Sequence, residues 1–217
     1  RLSRLINYLN KYDVDAVGGV SLASSRNDSY FGLASALILR STFSTGSKFR
    51  TAITKPEFVE TASGCLYKKS IFKNIGIFNE DLICSQDIEL NKRIINKGGR
   101  ILLVPDVITH YKSRGDIKSF LMHTYRNGKW AIMPFFYSKI IPVSLRHLVP
   151  IIALLIFIFL SVLTLLGIIS LSPLIFIIVL YFLLNIFFSI IISLAHNKIL
   201  LLPVLMFSFF SFHLSYM

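Results

Sequence analysis

The stretch ICSQDIELNKRIINKGGRILLVPDVITHYKSR, Ile83 to Arg114, gathers residue types that could do chemistry: an acid, Asp87, and a His-Tyr-Lys-Ser-Arg cluster from His110 to Arg114. Leu90, Ile94 and Ile95 share one helical face, Ser85 stands where an N-cap would, and Gly98-Gly99 stops the helix. Ile101 to Val104 then reads as a short, buried-type strand. Asp87 therefore falls at the start of a helix beside a strand edge. A carboxylate in that position either complements the helix dipole or acts on a substrate.

The elements around this stretch alternate. A helix over Leu2 to Lys11 leads into the apolar run DAVGGVSLA, which reads as a strand, and a second helix covers Tyr30 to Leu39. Polar residues from Ser41 to Lys55 form a loop. FVETASGCLYKKSIF reads as strand, small-residue turn, strand and short helix. After the helix from Ser85 come two short strands through Thr109, then an amphipathic segment from Asp116 to Met133. Strands alternating with helices predict an α/β domain.

Composition splits the 217 residues in two. All 11 acids precede Leu148, and so does every one of the 23 basic residues except Lys198. Residues 1–147 carry all of the net balance of +12 except the charge of Lys198, while 148–217 hold three apolar stretches, at about 148–170, 173–194 and 199–217. Each is about the length that crosses a bilayer as a helix, and three such runs in succession disfavour the core of a large soluble protein. Lys139, Arg146 and His147 before the first stretch, with His196 and Lys198 in the second connector, predict that the polar domain faces the cytoplasm. Attraction to anionic headgroups accounts for the positive excess, and no basic-aromatic motif points to nucleic acid. Cys65 and Cys84 are isolated, which argues against a zinc site or disulfide framework. The helical pattern is already running at Arg1 and the chain ends in an apolar run at Met217, so a piece of a longer protein, open at both ends, is expected.

The order of motifs resembles the second half of a family 2 glycosyltransferase, most closely the membrane-attached type of succinoglycan and exopolysaccharide biosynthesis. The matching pieces are VGG (Val17 to Gly19), the turn with its Tyr-Lys-Lys sequel (Gly64 to Lys69), IGIFNEDL, QDIELNKR, GGRILLVPDVITHYKSR and YRNGKW (Tyr125 to Trp130), with HLSY (His213 to Tyr216) in the apolar tail. The resemblance implies a partial GT-A, Rossmann-like domain over 1–133, a juxtamembrane segment over 134–147 and three transmembrane helices over 148–217. It also implies a multi-pass protein of the inner membrane that moves a sugar, with inversion, from a nucleotide-sugar donor to a lipid-linked or polysaccharide acceptor.

On the same resemblance, Asp87 in D-x-x-L-x-x-R is the catalytic base, followed by Leu90 and Arg93. The usual Glu-Asp pair is Gln86-Asp87 here, so the neighbouring residue keeps hydrogen bonding but supplies no charge. Gly64, Gln86 and Trp130 are implied for the acceptor, and Lys112, Arg114, Arg126 and Lys129 for the diphosphate. His110 is implied to complete a site for a divalent metal, Mg²⁺ or Mn²⁺. Trp130 suits a sugar platform or an interfacial anchor equally. Arg126 and Lys129 depart from the Gln-x-x-Arg-Trp pattern of processive synthases.

Two acidic pairs look similar and read differently. Glu80-Asp81 is followed three and six residues after Asp81 by Cys84 and Asp87, so it fits a turn. Asp13-Val14-Asp15 has Asp-x-Asp spacing but directly precedes VGG, where the family's metal motif lies well upstream. With that motif expected outside the chain, the chain by itself is expected to be inactive. Transfer to polyprenyl phosphate is the alternative enzymatic reading, and a non-catalytic membrane-assembly protein keeping the fold is the alternative of another class.

Overall fold

The computed structural model describes residues 1–44, 46–138 and 145–217, with side chains in the last segment from Leu148 onward. Its elements are α1 (Leu2–Lys11), β1 (Ala16–Ser24), α2 (Tyr30–Ile38), a 3-10 turn (Lys48–Arg50), β2 (Glu57–Phe58), β3 (Ser63–Tyr67), α3 (Ile71–Ile75), α4 (Gln86–Asn96), β4 (Ile101–Lys112), α5 (Ile117–Ile132), α6 (Pro134–Tyr137), α7 (Leu145–Leu165), α8 (Ser172–Ala195) and α9 (Leu201–Tyr216). They form two compact units, each assembled from separated segments. Arg1–Ser24, Leu39–Lys112 and Lys129–Ser144 make the first; Ser25–Ile38, Ser113–Gly128 and Leu145–Met217 make the second. Segments 25–38 and 113–128 are polar-half sequence by composition, yet they cluster with the apolar helices.

The first unit is built on a four-stranded mixed sheet in the order β2-β4-β1-β3. β1 and β4 run parallel, and β3 and β2 flank them antiparallel. β1 is buried from Ala16 to Ser21 without alternation, because both faces of the sheet are covered. Leu5 of α1 packs with Val17, Leu102 and Val104 on one side. Ile71 of α3 and Ile94 of α4 pack with Ala16, Val20 and Leu103 on the other.

β4 is one strand rather than the two short ones that the sequence suggests. Its register against β1 runs Gly19↔Val104 and then Val20↔Ile108, so Pro105 to Val107 bulge out between paired residues. A bulge is where a strand tolerates a proline, which has no N–H for the ladder. Gly19 faces it: a Cβ there would lie 2.0 Å from the Val107 carbonyl oxygen.

The ends of α4 show one expectation met and one corrected. Gly98 takes φ 81°, and the Gly99 and Gly98 N–H groups donate to the carbonyls of Ile94 and Ile95, both at 2.9 Å, closing the helix as a glycine C-terminus should. Ser85 does not cap. Its backbone is left-handed (φ 65°, ψ 17°) and its side chain makes no capping bond; the hydroxyl instead donates to the Trp130 carbonyl at 3.5 Å.

In the second unit, two helices are long and apolar enough to cross a membrane, with windows Leu148–Leu165 and Ser172–Ala195 at mean hydropathies of 3.0 and 2.9. The third apolar stretch folds as α9, a helix of 16 residues. At about 1.5 Å per residue that is shorter than the roughly 30 Å hydrocarbon core. α9 packs on both α8 and α2 and buries Leu205, Phe209 and Phe212 together with Ser208 and His213. Polar groups join it to α8: the Tyr181 hydroxyl meets His213 Nδ1 at 3.1 Å, and Asn185 Nδ2 donates to the Met206 carbonyl at 3.2 Å. Lys139 and the side chains of Arg146 and His147, which enter the charge argument for orientation, lie outside the described residues.

Candidate active site

The N-terminal turn of α4 is held in place from below and from the side. Leu90 and Ile94 are fully buried and press the helix onto the sheet. Asn91, also fully buried, donates to Thr61 Oγ1 at 2.8 Å and accepts from the Tyr67 hydroxyl at 2.9 Å. This buried polar chain is satisfied at each link, which fixes rotation of α4 relative to β3. Arg93 then closes the loop ahead of the helix. Its guanidinium donates to Glu89 Oε2 at 2.8 and 3.0 Å and to the carbonyls of Ile75 and Ile77.

The two acids of α4 are thereby given different surroundings. Glu89 is 3% exposed and is taken up by Arg93 and by the Ser138 hydroxyl, which donates to Oε1 at 3.2 Å. Asp87 is exposed, and its Oδ1 accepts the N–H of Ile88 at 2.9 Å. Its carboxylate opens onto a depression of about 490 Å³ lined by Phe78, Asn79, Glu80, Leu82, Gln86 and Asp87. Asn79 shapes the rim: its Oδ1 accepts the Asp81 N–H at 3.0 Å, and its amide donates to the Tyr137 carbonyl at 2.9 Å.

Electrostatics around Asp87 keep its neighbours protonated. Burial pushes the Cys65 thiol up to about 11, and the negative charge of Asp87 adds a smaller push in the same direction. Tyr67 is pushed well above the usual phenol range, again first by burial. Neither is a nucleophile at neutral pH. The arrangement offers an accessible carboxylate, an amide from Gln86, a second carboxyl from Glu80, and apolar walls from Phe78 and Leu82. Such a set can bind a hydroxyl-bearing molecule and accept its proton.

Of the residues singled out in the sequence, the depression brings together Asp87 and Gln86. Gly64 is exposed on β3 with φ 56°, and a Cβ there would meet Arg1 Nη2 at 2.4 Å. His110 and Lys112 are exposed near the end of β4, and Lys129 is exposed on α5. Arg114, half-buried, and Arg126, exposed, belong to the second unit. Trp130 is 9% exposed, which leaves little of it open to a sugar or to a headgroup layer. Among the described residues, no three His, Cys, Asp or Glu side chains form a group that could hold a metal.

The Asp-x-Asp look-alike has other partners. Asp13 accepts from Arg100 Nη2 at 2.6 Å and lies 3.9 Å from Lys68 Nζ, and Asp15 Oδ2 accepts the Arg100 N–H at 2.9 Å. Both tie the residue just ahead of β4 to the chain just ahead of β1. Glu80 is the residue that sequence reasoning passed over. It fits the turn and also lines the depression; the signal was its position one loop ahead of Asp87. No family model matches the sequence, and no curated protein matches it either.

Proposed function

We propose that the protein is a membrane-attached, inverting glycosyltransferase in which Asp87 is the base. The observation that carries this reading is the contrast on α4: Glu89 is buried and neutralised, while Asp87 stands exposed in the first turn on an open depression. In the proposed reaction an acceptor hydroxyl enters the depression beside Gln86 and Glu80. Its oxygen attacks the anomeric carbon of a nucleotide sugar and a new glycosidic C–O bond forms. The bond to the diphosphate breaks, and the leaving nucleotide keeps its electron pair. The hydroxyl proton passes to the Asp87 carboxylate. Phe78 and Leu82 supply the apolar wall beside the reacting hydroxyl, and Asn91 and Arg93 hold the helix that aims Asp87.

Membrane attachment is supported by α7 and α8, whose apolar windows are almost entirely exposed. The basic balance of the polar half supports a cytoplasmic face for the first unit and an acceptor carried on lipid or on a growing polysaccharide. α9 as a third span belongs to the same proposal. A divalent metal is what the family resemblance implies; His110 stands exposed, with no metal-holding group of three side chains among the described residues.

The test is sugar transfer in native membranes by the complete protein, comparing Asp87→Asn with Glu80→Gln. Loss of about 10²–10⁴-fold in turnover on Asp87→Asn is expected, with a smaller effect at Glu80. Turnover that survives Asp87→Asn rejects Asp87 as the base. Donor and acceptor binding without any turnover in the unaltered protein favours the non-catalytic assembly role.

A further inference from the structure

The 3-10 turn Lys48–Arg50 sets a cation in the first unit that pairs with no acid among the described residues. Phe49 packs against the core cluster that contains Val20 and Leu103, which draws Arg50 inward after it. The Arg50 guanidinium carbon lies 5.3 Å from the Phe49 ring centre and 5.0 Å from that of Tyr111. Its Nη1 is buried and has no hydrogen-bond partner among the described residues. Four other cations of this unit do meet an acid: Lys48 pairs with Glu57, Arg93 with Glu89, and Arg100 and Lys68 with Asp13. Burial lowers the Arg50 pKa, with only Tyr111 opposing it. Stacking on two rings offsets part of that desolvation, but a guanidinium nitrogen taken out of water still lacks an acceptor.

The position of this group matters as much as its environment. Tyr111 is the last residue but one of β4, and β4 runs parallel to β1. Arg50 therefore sits at the carboxyl end of the parallel pair, the end at which open α/β sheets take up ligands. His110 and Lys112, both exposed, flank Tyr111 in the chain, and no acid occurs between Asp106 and Asp116. A planar guanidinium held by two rings is suited to paired hydrogen bonds with phosphate oxygens.

We propose that Arg50, stacked between Phe49 and Tyr111, is a binding residue for a phosphate-bearing ligand at the carboxyl end of β4. Its counter-ion is the ligand itself, and in the proposed transferase that ligand is the diphosphate of the donor or the phosphate of a lipid carrier. The ligand's name rests on the transferase reading; the anion site does not.

The test uses the full chain in neutral detergent. Binding is read by thermal shift with inorganic pyrophosphate in one arm, and with phosphatidic acid in mixed micelles in the other. Saturable stabilisation is expected in at least one arm, and Arg50→Gln should weaken it by about tenfold or more. Pyrophosphate alone would identify a soluble diphosphate, and phosphatidic acid alone a lipid phosphate. Arg50→Lys, which keeps the charge but not the fork, should fall between. Should Arg50→Gln fail to fold, the unaltered chain decides: pyrophosphate or phosphatidic acid should protect Arg50 from phenylglyoxal, mapped by mass spectrometry. No stabilisation by either anion, equal affinity in a folded Arg50→Gln, or equal modification with and without anion overturns the proposal. Normal sugar transfer by Arg50→Gln would defeat this site and leave the transferase reading standing, whereas anion binding in a protein that transfers no sugar would do the reverse.

Discussion

Arg93 reaches back one turn of α4 and places Nη2 and Nε 2.8 and 3.0 Å from the same oxygen of Glu89. The same guanidinium holds the carbonyls of Ile75 and Ile77, so a single side chain ties the helix to the loop that forms the wall of the depression. Glu89 is almost wholly buried, and Arg93 keeps a fifth of its side chain exposed.

Breaking this pair should destabilise the first unit. Arg93→Met leaves a buried carboxylate without its partner, for which about 3–5 kcal/mol is usual; the exposed edge of Arg93 places the expected loss toward the lower end. Equilibrium unfolding in detergent would check it, and a loss near zero would mean that water replaces the guanidinium.

Asp87→Asn should behave in the opposite way. The side chain is exposed and makes only a local contact to Ile88, so melting should stay near that of the unaltered protein while sugar transfer falls. A variant that melts early would show that Asp87 supports the helix rather than the chemistry.

Cys65 provides a pH test. Its thiol is raised from 9.0 to about 11 by burial, so the unfolded chain loses this proton before the folded one does. Stability from this group is therefore fully present below pH 9 and should decline as pH rises from 9 toward 11. Alkylation of Cys65 by iodoacetamide should likewise stay slow at pH 8 and accelerate only toward pH 11. Fast labelling at pH 8 would contradict its burial.

Gly19→Ala should disrupt the junction of β1 and β4. The added methyl would lie 2.0 Å from the Val107 carbonyl oxygen, a contact that requires backbone movement. Overpacking of this kind costs about 1–3 kcal/mol, read as a lowered melting temperature. An unchanged melt would mean that the bulge relaxes freely.

What could be read in the sequence was whatever a regular period encodes. α1, α2 and α4 begin and end within a few residues of their apolar patterns, and the long apolar helices follow from composition alone. The departures have local causes. The sequence suggests two short strands through Thr109, but the bulge opposite Gly19 accommodates Pro105 and β4 continues as one. Ser85 has the right chemistry for a cap, yet its left-handed backbone carries the hydroxyl to Trp130. Trp130 itself is buried, and its backbone carbonyl is met by Ser85 from a distant part of the chain, which no local pattern records. Asp87 was marked by its place at a helix start; Glu80 came beside it only through the folding of the loop that Arg93 holds.

The pairing of α2 with α9 bears on how the chain is made. Tyr30–Ile38 leaves the ribosome well before its helix partner Leu201–Tyr216. At about 5–20 residues per second the apolar face of α2 waits on the order of ten seconds or more for the surface that covers it. During that interval it is a nascent hydrophobic segment with nowhere to go, open to chaperones or to premature contact with lipid. The surface that covers α2 is thus complete only once Leu201–Tyr216 has been made, and removing that helix would leave α2 exposed in every copy.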